Sequence, residues 1–265
     1  MKSTYASVGA ALLRGITDEI AAHSQPAVGT ASIQELIGRV RDVSTQAQTQ
    51  MRSTLGAAFP EIGWSDSEDK HDLQPGDAPY WIYDPIDGAY HYLQGLPLWS
   101  SSLALVKDRR AVLALVYEPS QRELFIAEAD HSTTLNGRSI TSSTKIDLRT
   151  AVVGTAVPPF GAVAANEHEL AARLLVETSR HVFVTRQMAA ASLQLAYVAC
   201  GRLDAYVEAG TDIYDWMAGA LLVQQAGGVV SALDGDSFDL DATGIVAAAP
   251  ELHGALQRRV AAVAR

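Results

Sequence analysis

The sequence predicts a layered α/β fold. Two observations carry that expectation: three strand-length apolar runs follow one another between residues 100 and 128, and β-branched runs alternate with helix-length segments from residue 151 onward. A third is bulk composition, since 48% of the 265 residues are hydrophobic and 19% charged, which fills a substantial core and argues against disorder. At roughly 150 residues per domain, the length corresponds to about two units or one large layered unit. The expected division is an N-terminal part over residues 1–145, with helices and an antiparallel sheet, and a C-terminal α/β half over 146–265, joined as one compact unit.

Residues 5–22 and 33–58 repeat apolar positions every three and four residues with few Gly or Pro, the pattern of helices. From 64 to 79 the chain turns polar and acidic, which reads as a loop or solvated hairpin. Tyr80-Trp81-Ile82-Tyr83 is aromatic and soon followed by Pro85, so it reads as a strand ending at a turn. The runs 100–106, 111–118 and 123–128 are broken by Lys107-Asp108-Arg109-Arg110 and Pro119-Ser120-Gln121, giving an antiparallel meander. A weaker strand and turn surround Asn136-Gly137. Beyond the seam at 140–150, strands are expected at 151–155, 181–185, 203–208 and 228–233, with helices at 167–179, 188–200 and 216–225.

Twenty Lys plus Arg against thirty Asp plus Glu leave a formal charge of −10. That balance repels polyanions, so neither nucleic acid nor an anionic membrane surface is an expected partner. Cys200 is the only cysteine, which excludes an intrachain disulfide and a zinc-finger arrangement; its apolar surroundings make it a core thiol. Met1-Lys2-Ser3-Thr4-Tyr5 lacks the apolar run of a secretory signal, and no stretch approaches the ~20 apolar residues of a membrane span. A cytoplasmic protein is the expectation.

Two acidic stretches carry chemistry. In Asp84-Pro85-Ile86-Asp87-Gly88 two carboxylates stand three apart at the end of a strand. Asp, Pro and Gly are ordinary turn residues, but carboxylates held this close repel one another, and a hard divalent cation relieves the repulsion. Oxygen donors without clustered His or Cys point to Mg²⁺ or Mn²⁺ rather than zinc. In Tyr214-Asp215-Trp216, Asp215 stands at the expected start of a helix, where a carboxylate also serves as a cap.

Trp81-Ile82-Tyr83-Asp84-Pro85-Ile86-Asp87-Gly88 is similar to the first signature of the inositol monophosphatase family, and Asp215-Trp216 through Ala226-Gly227-Gly228 resembles the second. Arg202-Leu203-Asp204-Ala205-Tyr206-Val207-Glu208 resembles the strand leading into that second signature. The resemblance spans residues 55–250, and the first fifty residues match it poorly. It implies an αβαβα sandwich of the inositol monophosphatase and fructose bisphosphatase type. It also implies hydrolysis of a small phosphate monoester, an inositol monophosphate-like polyol or a sugar phosphate. The implied cofactor is Mg²⁺, with Mn²⁺ as a substitute and Ca²⁺ as an inhibitor. In family terms Asp84, Asp87 and Asp215 share one metal, and Asp84, the Ile86 carbonyl and an upstream acid hold a second. Gly88 and Ala89 would receive the phosphate on backbone N–H groups, and Glu208 would bind a substrate hydroxyl. Relatives commonly pair as homodimers, and Leu96-Pro97-Leu98-Trp99 offers apolar contact area. Nucleotide 3′-phosphatase and fructose bisphosphatase activities rank lower, because no base-stacking platform or basic second-phosphate pocket is visible.

The chain departs from the family pattern in two places. Counting from Phe59-Pro60 puts Ser67 or Glu68 in the slot of the upstream acid; Glu68 is chosen as catalytic metal ligand, with Asp66 and Asp69 as competitors. Ala89 stands where relatives have Thr, and Ser44 stands near where they have the Asp that supports it. Both halves of a water-orienting hydrogen bond are thus missing together, which avoids an unpartnered carboxylate. Tyr90 and His91 lie close in sequence to the site, and His91 reads first as a packing or surface histidine. The second expectation is therefore a weakened relative that binds metal and a phosphorylated ligand or partner without efficient turnover.

Overall fold

The computed structural model describes residues 3–24, 32–65, 78–159 and 161–264. Helix α1 (Thr4–Ala22) is capped by Ser3, whose hydroxyl accepts from the Ala6 N–H. Helix α2 (Ile33–Ala58) starts with a capping box in which the side chains of Ser32 and Glu35 each accept from the other's backbone N–H. A first sheet follows, built of β1 (Gly63–Trp64), β2 (Tyr80–Asp87), β3 (Ser100–Lys107), β4 (Arg110–Glu118), β5 (Glu123–Glu128), β6 (Thr134–Leu135) and β7 (Arg138–Ser139) in that spatial order. Helix α3 (Ala89–Gln94) links β2 to β3. The strands pair antiparallel except that β1 runs parallel to β2.

The second sheet contains β8 (Val152–Thr155), β9 (Val184–Gln187), β10 (Ala205–Ala209), β11 (Val229–Ser231) and β12 (Gly244–Ala248), in the order β11-β12-β10-β8-β9. Strand β8 lies parallel to β9 and β10, whereas β12 is antiparallel to β10 and β11. Helices α4 (Ala165–Ser179), α5 (Ala191–Ala199), α6 (Ile213–Gln225) and α7 (Pro250–Ala264) complete the chain.

Strand alternation decides how these layers stack. Trp81, Tyr83, Leu103, Leu105, Leu113 and Leu115 point to one face of the first sheet, where Leu13, Ile16, Met51 and Leu55 of α1 and α2 cover them. The intervening residues Ile82, Ala104, Val106, Ala114 and Val116 point to the other face and pack on α5 and α6. The far side of that helix pair meets Tyr206, Ile245 and Ala247 of the second sheet. Val207, Val246 and Ala248 face outward onto Leu174 of α4 and Leu252, Leu256 and Val260 of α7. The order is therefore α1/α2, sheet, α5/α6, sheet, α4/α7, an αβαβα sandwich.

Helices α5 and α6 are buried nearly all round, as their predominantly apolar sequences require of a central layer. They pack closely enough that a Cβ on Gly219 would sit 2.4 Å from Leu195 Cβ.

Several local expectations need correction. Strand β2 does not stop at Tyr83 but continues to Asp87, with a bulge between Asp84 and Asp87 that accommodates Pro85. The helix expected over 188–200 starts only at Ala191, because β9 continues to Gln187 beside Thr155 and Ala190 adopts a left-handed φ of 63°. The strand expected at 181–185 accordingly lies at Val184–Gln187. Helix α6 begins at Ile213 rather than 216, which puts Asp212 at the N-cap and Asp215 inside the first turn. Strands β1 and β12 and helix α7 were not anticipated, although Gly244 to Ala249 followed by Pro250 is the pattern of a strand passing into a helix. Trp99 is buried against Tyr92 with ring centroids 5.2 Å apart, so it belongs to the core and offers no outer contact area; Leu96 is exposed.

Candidate metal centre

The bulge at the end of β2 is what turns two carboxylates toward one point. Asp84 accepts from the Ile86 N–H at 2.9 Å, closing a local turn across Pro85. The Ser101 hydroxyl donates to the Pro85 carbonyl at 2.6 Å, and Thr17 Oγ1 of α1 lies 2.8 Å from Ser101 Oγ. The turn is thereby pinned from the outer helix layer through the sheet. Gly88 then takes a φ of 90°, and a Cβ there would meet Ala190 Cβ at 3.0 Å and the Leu98 carbonyl at 3.1 Å. Only glycine suits that conformation and that space.

Asp87 is buried and serves as a distant cap for α5. It accepts from Ala191 N–H at 3.1 Å, Ser192 N–H at 2.7 Å and the Ser192 hydroxyl at 2.5 Å. Asp215 reaches the same place from the first turn of α6, and oxygen atoms of Asp84, Asp87 and Asp215 all lie within 4.8 Å of one another. The next residue back, Tyr214, donates its hydroxyl to Ser65 Oγ, which ties the end of the β1 segment to the first turn of α6.

The electrostatics are those of a carboxylate cluster in need of positive charge. Burial pushes the Asp87 carboxyl up to about 6, against the hydrogen bonds from Ser192 and Ala191 that lower it, and the charge of Asp212 adds to the rise. Asp215 is driven well above the usual carboxylate range by burial, then by Asp87, Asp84, Asp212 and Glu208. Three oxygen donors with mutual repulsion and no soft ligand fit a hard divalent cation.

The cluster opens into a cavity of about 950 Å³, walled by one side of α2 (Arg41, Ser44, Thr45 and Gln48 among others), the start of α3, residues 156–159 and residues 187–191. Glu208 lines it too. Its Oε2 accepts from Tyr206 Oη and Trp216 Nε1, both at 2.5 Å, and burial raises its carboxyl to about 8 despite those two bonds.

Of the residues singled out in the sequence, Asp84, Ile86, Asp87, Gly88, Ala89, Glu208 and Asp215 all line this one cavity. Ser44, Tyr90 and His91 line it as well, with His91 Nδ1 held 2.8 Å from the Leu98 carbonyl. Glu68 and its competitors Asp66 and Asp69 lie outside the described residues. The connection from the end of β9 to the start of α5, Gln187 to Ala191, lines the cavity as well.

Sequence reasoning missed two participants. Asp212 also lines the cavity and raises Asp87, Asp215 and Glu208; its signal was the Asp-x-x-Asp spacing at a helix start, the same spacing as Asp84 and Asp87. Ser192 had no local signal, because its role depends on a contact with a residue far back in the chain.

Among the described residues no helix is long and apolar enough to cross a membrane. Comparison with known proteins places these features in a family. The inositol monophosphatase family model matches residues 5–265. The inositol-1-monophosphatase of Mesorhizobium japonicum is 32% identical over 222 residues, 83% of this chain and 82% of that one. A Nus factor SuhB of Xylella fastidiosa is 34% identical over 194 residues, 73% of this chain and 69% of its own length. Among solved structures, an IMPase of Thermotoga maritima superposes with a TM-score of 0.81 at 23% identity, covering 97% of both chains, and so shares the fold. The αβαβα layering, the paired signatures and the family match over nearly the whole length agree: the chain belongs to the inositol monophosphatase family.

Proposed function

We propose that this protein is a Mg²⁺-dependent phosphomonoesterase acting on a small polyol or sugar phosphate. The observation that carries the reading is the meeting of Asp84, Asp87 and Asp215 within 4.8 Å at the wall of a cavity large enough for such a substrate. In this reading those three aspartates hold one cation, and Asp84, the Ile86 carbonyl and Glu68 hold a second. Tyr214, the residue before Asp215, donates its hydroxyl to Ser65 Oγ, and Glu68 follows Ser65 by three positions in the sequence. Bound divalent cations polarise the phosphoryl group, lower the pKa of a coordinated water and stabilise the departing alkoxide.

The remaining work falls to the chain itself. The backbone N–H groups of Gly88 and Ala89 orient the phosphate at the turn that the left-handed Gly88 makes possible. Tyr206 and Trp216 both occupy Glu208 Oε2, which leaves Oε1 to bind a substrate hydroxyl. Apolar residues such as Val157, Pro158 and Met188 limit water around the bound ester. The test is phosphate release from a panel of polyol and sugar monophosphates with and without Mg²⁺. Release that requires Mg²⁺ supports the reading, and no release from any ester contradicts it.

A second reading has a specific observation behind it. Ala89 and Ser44 line the same cavity, and neither supplies the hydroxyl or carboxylate that relatives place there. On this reading the protein binds a cation and a phosphorylated ligand, or a protein partner, without efficient turnover. The relatives named as Nus factors are consistent with a role among proteins. Cation binding without phosphate release across the panel favours it. We also propose a homodimer, on family grounds, which light scattering of the purified protein checks.

A further inference from the structure

The cap on α5 contains more than a helix needs. Ser192 lies in the first turn of α5 and Ser100 at the start of β3; both are fully buried. The Ser192 hydroxyl is 2.5 Å from Asp87 Oδ2 and 3.0 Å from the Ser100 hydroxyl. A hydroxyl has one proton, and the carboxylate is the stronger acceptor, so Ser192 donates to Asp87 and accepts from Ser100. Oδ2 also receives the Ser192 N–H at 2.7 Å, whereas among the described residues Oδ1 receives only the Ala191 N–H at 3.1 Å. Each carboxylate oxygen has two in-plane lone pairs. Both on Oδ2 are used, and one on Oδ1 remains.

We infer that Ser192, backed by Ser100, is a positioning residue that sets cation selectivity: it restricts Asp87 to one ligating oxygen, Oδ1. This rests on the reading of the three aspartates as a metal centre. Mg²⁺ takes six ligands in a tight octahedron and uses carboxylates through single oxygens. Ca²⁺ takes six to eight and accepts carboxylates through both oxygens. A one-oxygen Asp87 therefore suits the smaller ion and withholds a contact from the larger one. Removal of the Ser192 hydroxyl frees a lone pair on Oδ2 and opens the two-oxygen mode.

The experiment is displacement of Mn²⁺ by Mg²⁺ and by Ca²⁺, followed by electron paramagnetic resonance on the full-length protein. It compares wild type, Ser192→Ala, Ser192→Thr and Ser100→Ala. The ratio of Ca²⁺ to Mg²⁺ dissociation constants is expected to fall about tenfold in Ser192→Ala, equivalent to ~1.4 kcal/mol. Ser192→Thr, which keeps the hydroxyl, is expected to retain the wild-type ratio. Ser100→Ala leaves the Ser192 contact in place but unpolarised and should lower the ratio about twofold; it decides the matter if Ser192→Ala does not fold. A general loosening of the site would weaken all three ions alike, so an unchanged ratio in both alanine variants overturns the inference while the metal centre stands. Failure of the wild type to bind Mn²⁺ overturns both.

Discussion

Asp87, at the end of β2, and Asp215, in the first turn of α6, bring carboxylate oxygens within 4.8 Å of each other across the central seam of the molecule. Among the described residues, the carboxylates of Asp84, Asp212 and Glu208 raise Asp215 further, and that of Asp212 raises Asp87. Such a pair destabilises the fold unless protons or a cation intervene. The substitution Asp215→Asn should therefore have opposite effects on the two forms of the protein. Divalent-cation affinity should fall by more than ~100-fold, beyond the effect of losing an outer-shell partner. The cation-free protein should melt at a higher temperature than wild type. Calorimetry in chelator and with Mn²⁺ checks both halves.

The pH dependence follows from the same crowding. Glu208 is raised from 4.5 to about 8 and Asp87 from 3.8 to about 6, each chiefly by burial. The folded protein thus holds protons that the unfolded chain has already released. These groups favour folding fully below their ordinary values, and that contribution is lost as pH rises through about 6 for Asp87 and about 8 for Glu208. In chelator the midpoint of thermal unfolding should be lower near about pH 9 than near about pH 6, and Mg²⁺ should recover much of the loss at the higher pH. His253, whose pKa is lowered by burial, contributes in the opposite direction. Glu208→Gln separates the two, since it should flatten the decline on the alkaline side.

Ala89 and Ser44 line one cavity from different helices, α3 and α2. A hydroxyl restored at one position lacks its acceptor at the other. Ala89→Thr alone should change kcat less than about threefold, whereas Ala89→Thr with Ser44→Asp should raise it by about 100-fold, within the range for a positioned general base. Steady-state phosphate release measures both, and a large gain from the single change would contradict this account.

The scaffold is tested away from the chemistry at Gly219. A Cβ there falls 2.4 Å from Leu195 Cβ, in the centre of the α5/α6 layer. Gly219→Ala should cost about 3 kcal/mol of stability by overpacking. Urea titration gives the value.

What the sequence made legible was local. The meander of β3, β4 and β5 follows from strand-length apolar runs and from polar hairpin tips at Lys107–Arg110 and Pro119–Gln121, both signals carried by neighbouring residues. Asp84 and Asp87 stood out because a spaced pair of acids at the end of a strand is a local pattern. The start of α5 was not legible, because Ala190 holds a left-handed conformation that its side chain does not favour and that its surroundings impose. Ser192 was invisible for a related reason: an Ala-rich helix shows nothing of a hydroxyl bonded to a carboxylate on the opposite sheet. For Asp215 the sequence leaves a helix cap open beside a metal ligand; the structure puts Asp212 at the N-cap position and Asp215 three residues on, inside the first turn.

Anomalous diffraction from crystals soaked in Mn²⁺ tests the central claim most directly. The account predicts a peak in contact with Asp84, Asp87 and Asp215, with Asp87 reaching it through Oδ1. Peaks elsewhere with none between these three side chains would contradict it.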